Sequence, residues 1–290
     1  MSTPPWRRNQ RAHFPGVPAW GLATTRQPPE PFQVSPLAGV TREWAWGGSD
    51  GTGVRVCVVD TGVAGDHPKI GGLDRSVEVV SGDEGRLTVA ECAPVDPAGH
   101  GTACAGVIRS VAPGAAITSV RALTDGKSGT GDALVTGLRW AIDQGYDLVN
   151  LSLSSTRSGL RESLHELADR AYFRRCLLVA AAHNMPVLSY PWTFSSVVSV
   201  ASHDEADPMT YYYNPAPPAE FLARGVRVPV AWPGGREIRS TGNSFAAPHI
   251  TGICALILGK HPWLTPFQLK TVLYLAADNT MTQNGEPHVR

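Results

Sequence analysis

No stretch of this 290-residue chain approaches the roughly 18 consecutive apolar residues that cross a membrane as a helix. No charge of one sign dominates either: 25 Lys and Arg stand against 25 Asp and Glu, a formal net charge of zero. Such a balance gives no sequence-wide field to draw in nucleic acid or an anionic bilayer, so neither is expected as a partner. Cysteine is scarce and unpatterned. The five (Cys57, Cys92, Cys104, Cys176, Cys254) are odd in number and include no CxxC pair. They read as reduced, buried thiols in a reducing compartment, not as a disulfide frame or zinc site. HExxH and other metal-ligand spacings are missing, so no metal and no cofactor are expected. GNSFA, around Ser244, lacks the closing glycine of GxSxG; that argues against an α/β-hydrolase.

Arg7 and Arg8 near the N-terminus invite a twin-arginine export reading. The residues that follow are broken by Arg11, His13 and prolines, so no clean apolar export segment exists and a cytoplasmic location is expected. Residues 1–35 are proline-rich and aperiodic, the composition of an extended arm. Order is expected from near Val40, with residues 36–290 as one domain.

Five apolar, β-branched runs punctuate that domain: Val54–Val59, Ile117–Leu123, Asp147–Leu153, Cys176–Ala182 and Ser196–Ser202. Each suits a strand covered on both faces. Between them, Leu134, Leu138, Ala141 and Ile142 share one helical face, as do Leu160, Leu164, Leu167 and Ala171. Alternation of this kind predicts an α/β fold with a mostly parallel central sheet and helices on both faces. Active groups in such folds gather at the carboxyl ends of the strands.

Asp60 closes the first run, in VVDTGV. It is either a turn or cap aspartate or a buried functional carboxylate. His100, in PAGHGTACAG, opens a helical pattern between two glycines: a surface histidine in a glycine turn, or one aimed into a crowded site. Ser244, in STGNSFAAPH, is an N-cap serine or a nucleophile at a helix start, where the dipole favours a forming oxyanion.

Together the three are more specific than apart. Asp, His and Ser occur in the chain order of the subtilisins. VCVVDTGV, GHGTACAG and GNSFAAPHITG resemble the three signature segments of the subtilisin-like serine peptidases, and the resemblance runs from about Val40 to Ala277 through RAL, GLRWAI and VNLSLS. It implies a three-layer subtilisin-like domain in which Ser244 attacks the scissile carbonyl, His100 moves the proton and Asp60 orients the imidazole. It implies Asn184, after the fourth apolar run, as the oxyanion donor beside the Ser244 N–H. It also implies that extended peptide adds as a strand between Leu151–Ser154 and the GKSGTGD segment, including Ser128 and Gly129.

The sequence departs from that family at several points. Ala103 stands where members usually carry a second histidine or another residue, and Cys104 resembles a cysteine some branches place beside the catalytic histidine. Cys104 is expected to be buried. Asn243 replaces the usual threonine before the nucleophile and is read as a further donor toward the oxyanion. No carboxylate cluster occupies the RSVAPG region, so the calcium loop of many secreted relatives is expected to be absent. MPVLSYPW is short where relatives carry a longer loop, and residues 1–35 replace a long folding prodomain, which suggests an inhibitory arm. Tyr211–Pro218 (YYYNPAPP) is read as a packed surface loop, not a base-stacking platform. The expected activity is intracellular serine endopeptidase, in general turnover or in maturation of one dedicated precursor. A transpeptidase on the same fold, or a silent peptide-binding relative, uses the same residues.

Overall fold

A computed structural model describes residues 39–82, 85–123, 131–216 and 218–280. The expected arm 1–35, with Ser128 and Gly129, lies outside the described residues. Eleven strands and six α-helices are described. They are α1 (Arg42–Trp46), β1 (Arg55–Asp60), β2 (Arg75–Ser81), β3 (Leu87–Glu91), α2 (His100–Val111), β4 (Ala116–Arg121), α3 (Gly131–Asp143) and β5 (Leu148–Leu151). Next come α4 (Arg161–Phe173), β6 (Leu177–Ala181), β7 (Val198–His203), β8 (Tyr211–Tyr213), β9 (Phe221–Arg224), β10 (Val228–Trp232), β11 (Arg236–Ser240), α5 (Asn243–Lys260) and α6 (Pro266–Leu275).

Nine strands form one sheet in the order β3-β2-β4-β1-β5-β6-β7-β9-β8, and β10 and β11 pair separately. From β2 to β9 every neighbouring pair is parallel; β3 and β8 run antiparallel at the two edges. The two-residue period of a strand explains why β1 is an unbroken apolar run. Val56 and Val58 pack into the cluster with α2 and α5, while Cys57 and Val59 pack into the opposite one with α3 and α4. Helices cover both faces, as expected for this α/β class.

All five expected strands are present, with ends moved by one to two residues. Four cysteines are buried and Cys92 is partly so; all five are free. YYYNPAPP is a correction. Tyr211–Tyr213 form the edge strand β8, and fully buried Tyr211 donates its hydroxyl to the Leu273 carbonyl at 2.9 Å. Unanticipated are β2–β3 and β10–β11, hairpins whose outer faces are too polar to read as core.

Candidate active site

Asp60 is the last residue of β1 and fully buried. His100 opens α2, whose N-cap Gly99 has a left-handed φ of 86°. Asp60 and His100 meet because α2 starts tight against the loop after β1. A β-carbon on Gly101 would lie 2.0 Å from the Gly62 carbonyl oxygen, so only glycine fits there. His100 Nδ1 donates to Asp60 Oδ1 at 2.8 Å and approaches Oδ2 at 3.0 Å, and Oδ1 also accepts the Thr61 N–H at 2.8 Å.

A second carboxylate underlies this pair. Asp96, buried four residues before His100, accepts five hydrogen bonds. Its Oδ1 takes the Thr61 hydroxyl (2.8 Å) and the N–H groups of Ala98 (3.1 Å) and Gly99 (2.8 Å). Its Oδ2 takes the Thr102 N–H (2.8 Å) and hydroxyl (2.7 Å). Thr61 Oγ1 in turn accepts the Gly101 N–H at 3.0 Å. Asp96 thus takes the Thr102 N–H of the first turn of α2 directly and supports the Gly101 N–H through Thr61, both donors that no helical carbonyl can reach. It belongs to the site and was not singled out from the sequence. Its signal was an aspartate just ahead of a helix start.

The two anions act on the imidazole. Attraction to Asp60 raises the His100 pKa above the ordinary histidine value; desolvation opposes this, and the Asp60 hydrogen bond and the Asp96 charge add to the rise. A raised folded-state pKa stabilises the fold fully below the unfolded value and loses that contribution as pH rises through the folded one.

The other half of the site is carried by α5. Ser244 is half-buried in its first turn, and Phe245 follows with its ring 5.6 Å from the His100 ring. Pro248 stands where an N–H would otherwise donate to the Ser244 carbonyl four residues back. That carbonyl is satisfied from outside the helix, by the Ser152 hydroxyl at 2.8 Å and the Cys104 thiol at 3.5 Å. Ser152 is itself held by Asn150 Nδ2 at 3.0 Å, and Asn150 Oδ1 accepts the Thr251 hydroxyl at 2.9 Å. The chain Thr251–Asn150–Ser152 fixes the start of α5 against the end of β5. Cys104 is fully buried as expected, and burial pushes its thiol pKa well up, so it remains a protonated donor.

Asn184 follows β6. Its Oδ1 accepts the Asn243 N–H at 2.9 Å, and among the described residues no acceptor takes its NH2, which can serve as donor toward the cleft. A point at the β-carbon position of Gly242 lies 3.2 Å from Ser244 Oγ and 3.5 Å from Asn184 Nδ2, so both groups border one small space. Asn243 corrects an expectation. Its Oδ1 accepts the Ser202 N–H (2.9 Å) and hydroxyl (2.8 Å), and its Nδ2 donates to the carbonyls of Ala182 (3.2 Å) and His183 (3.3 Å). Every polar atom of this side chain joins the ends of β6 and β7 to α5, so none is left for an oxyanion.

A cavity of about 400 Å³ opens beside Ser244 and Asn184. Ser152, Leu153 and Ser154 line it, as does Gly131 at the end of the expected GKSGTGD edge. Leu151 does not. It is fully buried in the core under α3 and α4, so the cleft edge begins one residue later than expected.

A nucleophile-type hydroxyl, an imidazole on a buried carboxylate and an amide donor, set at strand ends of an α/β sheet, can carry out acyl transfer. The model of the Subtilase family matches residues 51–289. The chain is 30% identical to subtilisin DY of Bacillus licheniformis over 247 residues, covering 80% of this chain and 86% of that protein. It is 31% identical to thermitase of Thermoactinomyces vulgaris over 230 residues, covering 74% and 78%. A solved structure of a cold adapted subtilisin-like serine proteinase aligns with a TM-score of 0.63 at 28% identity, over 83% of this chain and 88% of that one. Fold and similarity together define a serine endopeptidase, a hydrolase of peptide or protein substrates. The chain belongs to the Subtilase family.

Proposed function

We propose that Ser244, His100 and Asp60 are the nucleophile, the general base and its orienting carboxylate. The observation that carries this is the His100–Asp60 contact at 2.8 and 3.0 Å on a fully buried carboxylate. Nδ1 donates to Asp60, so in the neutral ring Nε2 is the free base. Ser244 Oγ attacks the scissile carbonyl and its proton passes to Nε2. The imidazolium, stabilised by Asp60, protonates the leaving amine, and water then releases the acyl group by the same route. Asn184 Nδ2 and the Ser244 N–H, at the positive end of α5, receive the negative oxygen. The peptide lies extended along Ser152–Ser154.

The finer role we propose is maturation of a dedicated precursor in the cytoplasm. The short segment after Asn184 supports it: Met185 and Leu188 are 62% and 65% exposed beside the cleft, an apolar surface suited to one partner. Residues 1–35 are proposed to restrain the enzyme, and deleting them should raise activity; unchanged activity would remove that idea. A fluorophosphonate probe tests the core of the proposal. Wild type should label and Ser244→Ala should not, and equal labelling of the two would overturn the assignment.

A further inference from the structure

The cavity beside Ser244 is walled on one side by the chain leaving β5, from Ser152 to Arg157, and on the other by the chain leaving β6. No aspartate or glutamate lines it among the described residues, and Arg157 is the permanently charged group that does. Arg157 has an anchored backbone. Its N–H donates to Ser155 Oγ at 3.2 Å, and its carbonyl accepts the Leu160 N–H at 3.1 Å. Its guanidinium makes no ion pair among the described residues, whereas Arg42, Arg75, Arg121, Arg170 and Arg174 each do.

The hydroxyls of the same wall have a fixed direction. Trp192 Nε1–H donates a hydrogen bond to Ser189 Oγ at 2.8 Å, and the fully buried Ser189 hydroxyl finds its acceptor in Ser154 Oγ at 3.0 Å. Ser189 is fully buried and Ser154 lines the cavity, so the relay ends with the Ser154 O–H left to donate to whatever the cavity holds. His183, on the opposite wall, accepts the Met185 N–H on Nδ1 at 3.0 Å. In the neutral ring its proton is on Nε2, a further donor. Among the described residues the cavity thus offers a cation and directed donors, with no anion.

We propose that this cavity selects an acidic side chain, glutamate or aspartate, on the substrate residue whose carbonyl Ser244 attacks, with Arg157 as the specificity-determining residue. This rests on the peptidase reading above. A carboxylate matches the guanidinium fork and accepts the Ser154 hydroxyl, while a lysine would meet like charge and no acceptor anion.

Quenched-fluorescent peptides that differ only by Glu, Gln or Lys before the cut bond test it, with mass spectrometry reading the bond. Wild type should favour Glu over Gln by about tenfold in kcat/KM, as expected for a charge-assisted contact near the surface, with Lys lowest. The Glu:Gln ratio should shrink in 1 M salt, where the Debye length falls to about 3 Å. Arg157→Gln should bring the ratio below about twofold, and Arg157→Glu should reverse the order of Glu and Lys. A wild-type ratio under twofold, or one that Arg157→Gln leaves intact, overturns the proposal. If wild type cuts no peptide, it is the peptidase reading that fails. The cavity is then tested by calorimetric binding of product peptides ending in Glu or Gln to Ser244→Ala, with the same tenfold difference expected and equal affinities overturning it.

Discussion

The two halves of the cleft are built from different chemistry. The α2 half rests on buried anions: Asp60 faces the imidazole and Asp96 ties down the helix start. The α5 half rests on neutral amides and hydroxyls: Asn184, Asn243, Asn150, Ser152 and Thr251. The difference follows the charge each half has to face. A base that becomes imidazolium is stabilised by nearby carboxylates, whereas a hydroxyl whose attack creates an oxyanion is served by donors that carry no competing negative charge.

Breaking the anionic half at its centre should cost most. Asp60→Asn keeps the shape and removes the charge and acceptor that set the His100 tautomer, and kcat should fall about 10,000-fold in steady-state assays. On the neutral half, Asn184→Ala should lower kcat about 100- to 1000-fold with little change in KM, because the donor acts on the oxyanion and not on bound substrate. Asn243→Ala removes four hydrogen bonds that hold the two strand ends to α5 and should destabilise the fold by about 1–3 kcal/mol in urea unfolding. Its kcat should fall less than that of Asn184→Ala. Equal losses would mean that Asn243 contacts the oxyanion after all.

Asp96→Asn sharpens the contrast with a direction. The Asp96 charge helps to raise the His100 pKa, so neutralising it should move the acidic limb of the kcat/KM profile to lower pH. A merely structural role would lower the plateau and leave the limb in place. An effect on stability alone concerns a second histidine, His249, sealed in α5 with Nδ1–H donating to the Phe245 carbonyl at 2.8 Å. Burial drives its pKa down to about 4. The unfolded chain takes up this proton first, so folding stability should fall by up to about 3 kcal/mol as pH drops from near 6.5 to 4. His249→Phe should flatten that slope in pH-dependent denaturation.

How legible each part was in the sequence follows from what its residues touch. The five central strands could be read because both of their faces are buried, which leaves continuous apolar runs such as Val56–Val59. RSVEVVS, LTVAE and REIRS could not, because in the outer two strands of the sheet or in a separate hairpin one face meets water and the apolar signal thins. Asp60 at a strand end and His100 and Ser244 at helix starts could be singled out in the sequence, and Asn184 through the family resemblance. Asn243 was misread because its partners at 182, 183 and 202 lie 41 or more positions away in sequence. Leu151 was misread by one step of strand alternation, which sends its side chain into the core.

The uneven burial of the five cysteines has a practical use. Cys57, Cys104, Cys176 and Cys254 are sealed inside, with thiol pKa values pushed up by burial, while Cys92 is partly open beside Ser76. Brief treatment with a maleimide dye should therefore tag the native protein at one position without prior mutagenesis. A fluorophore placed there turns the unmodified enzyme into its own reporter for single-molecule or energy-transfer measurements on labelled peptides.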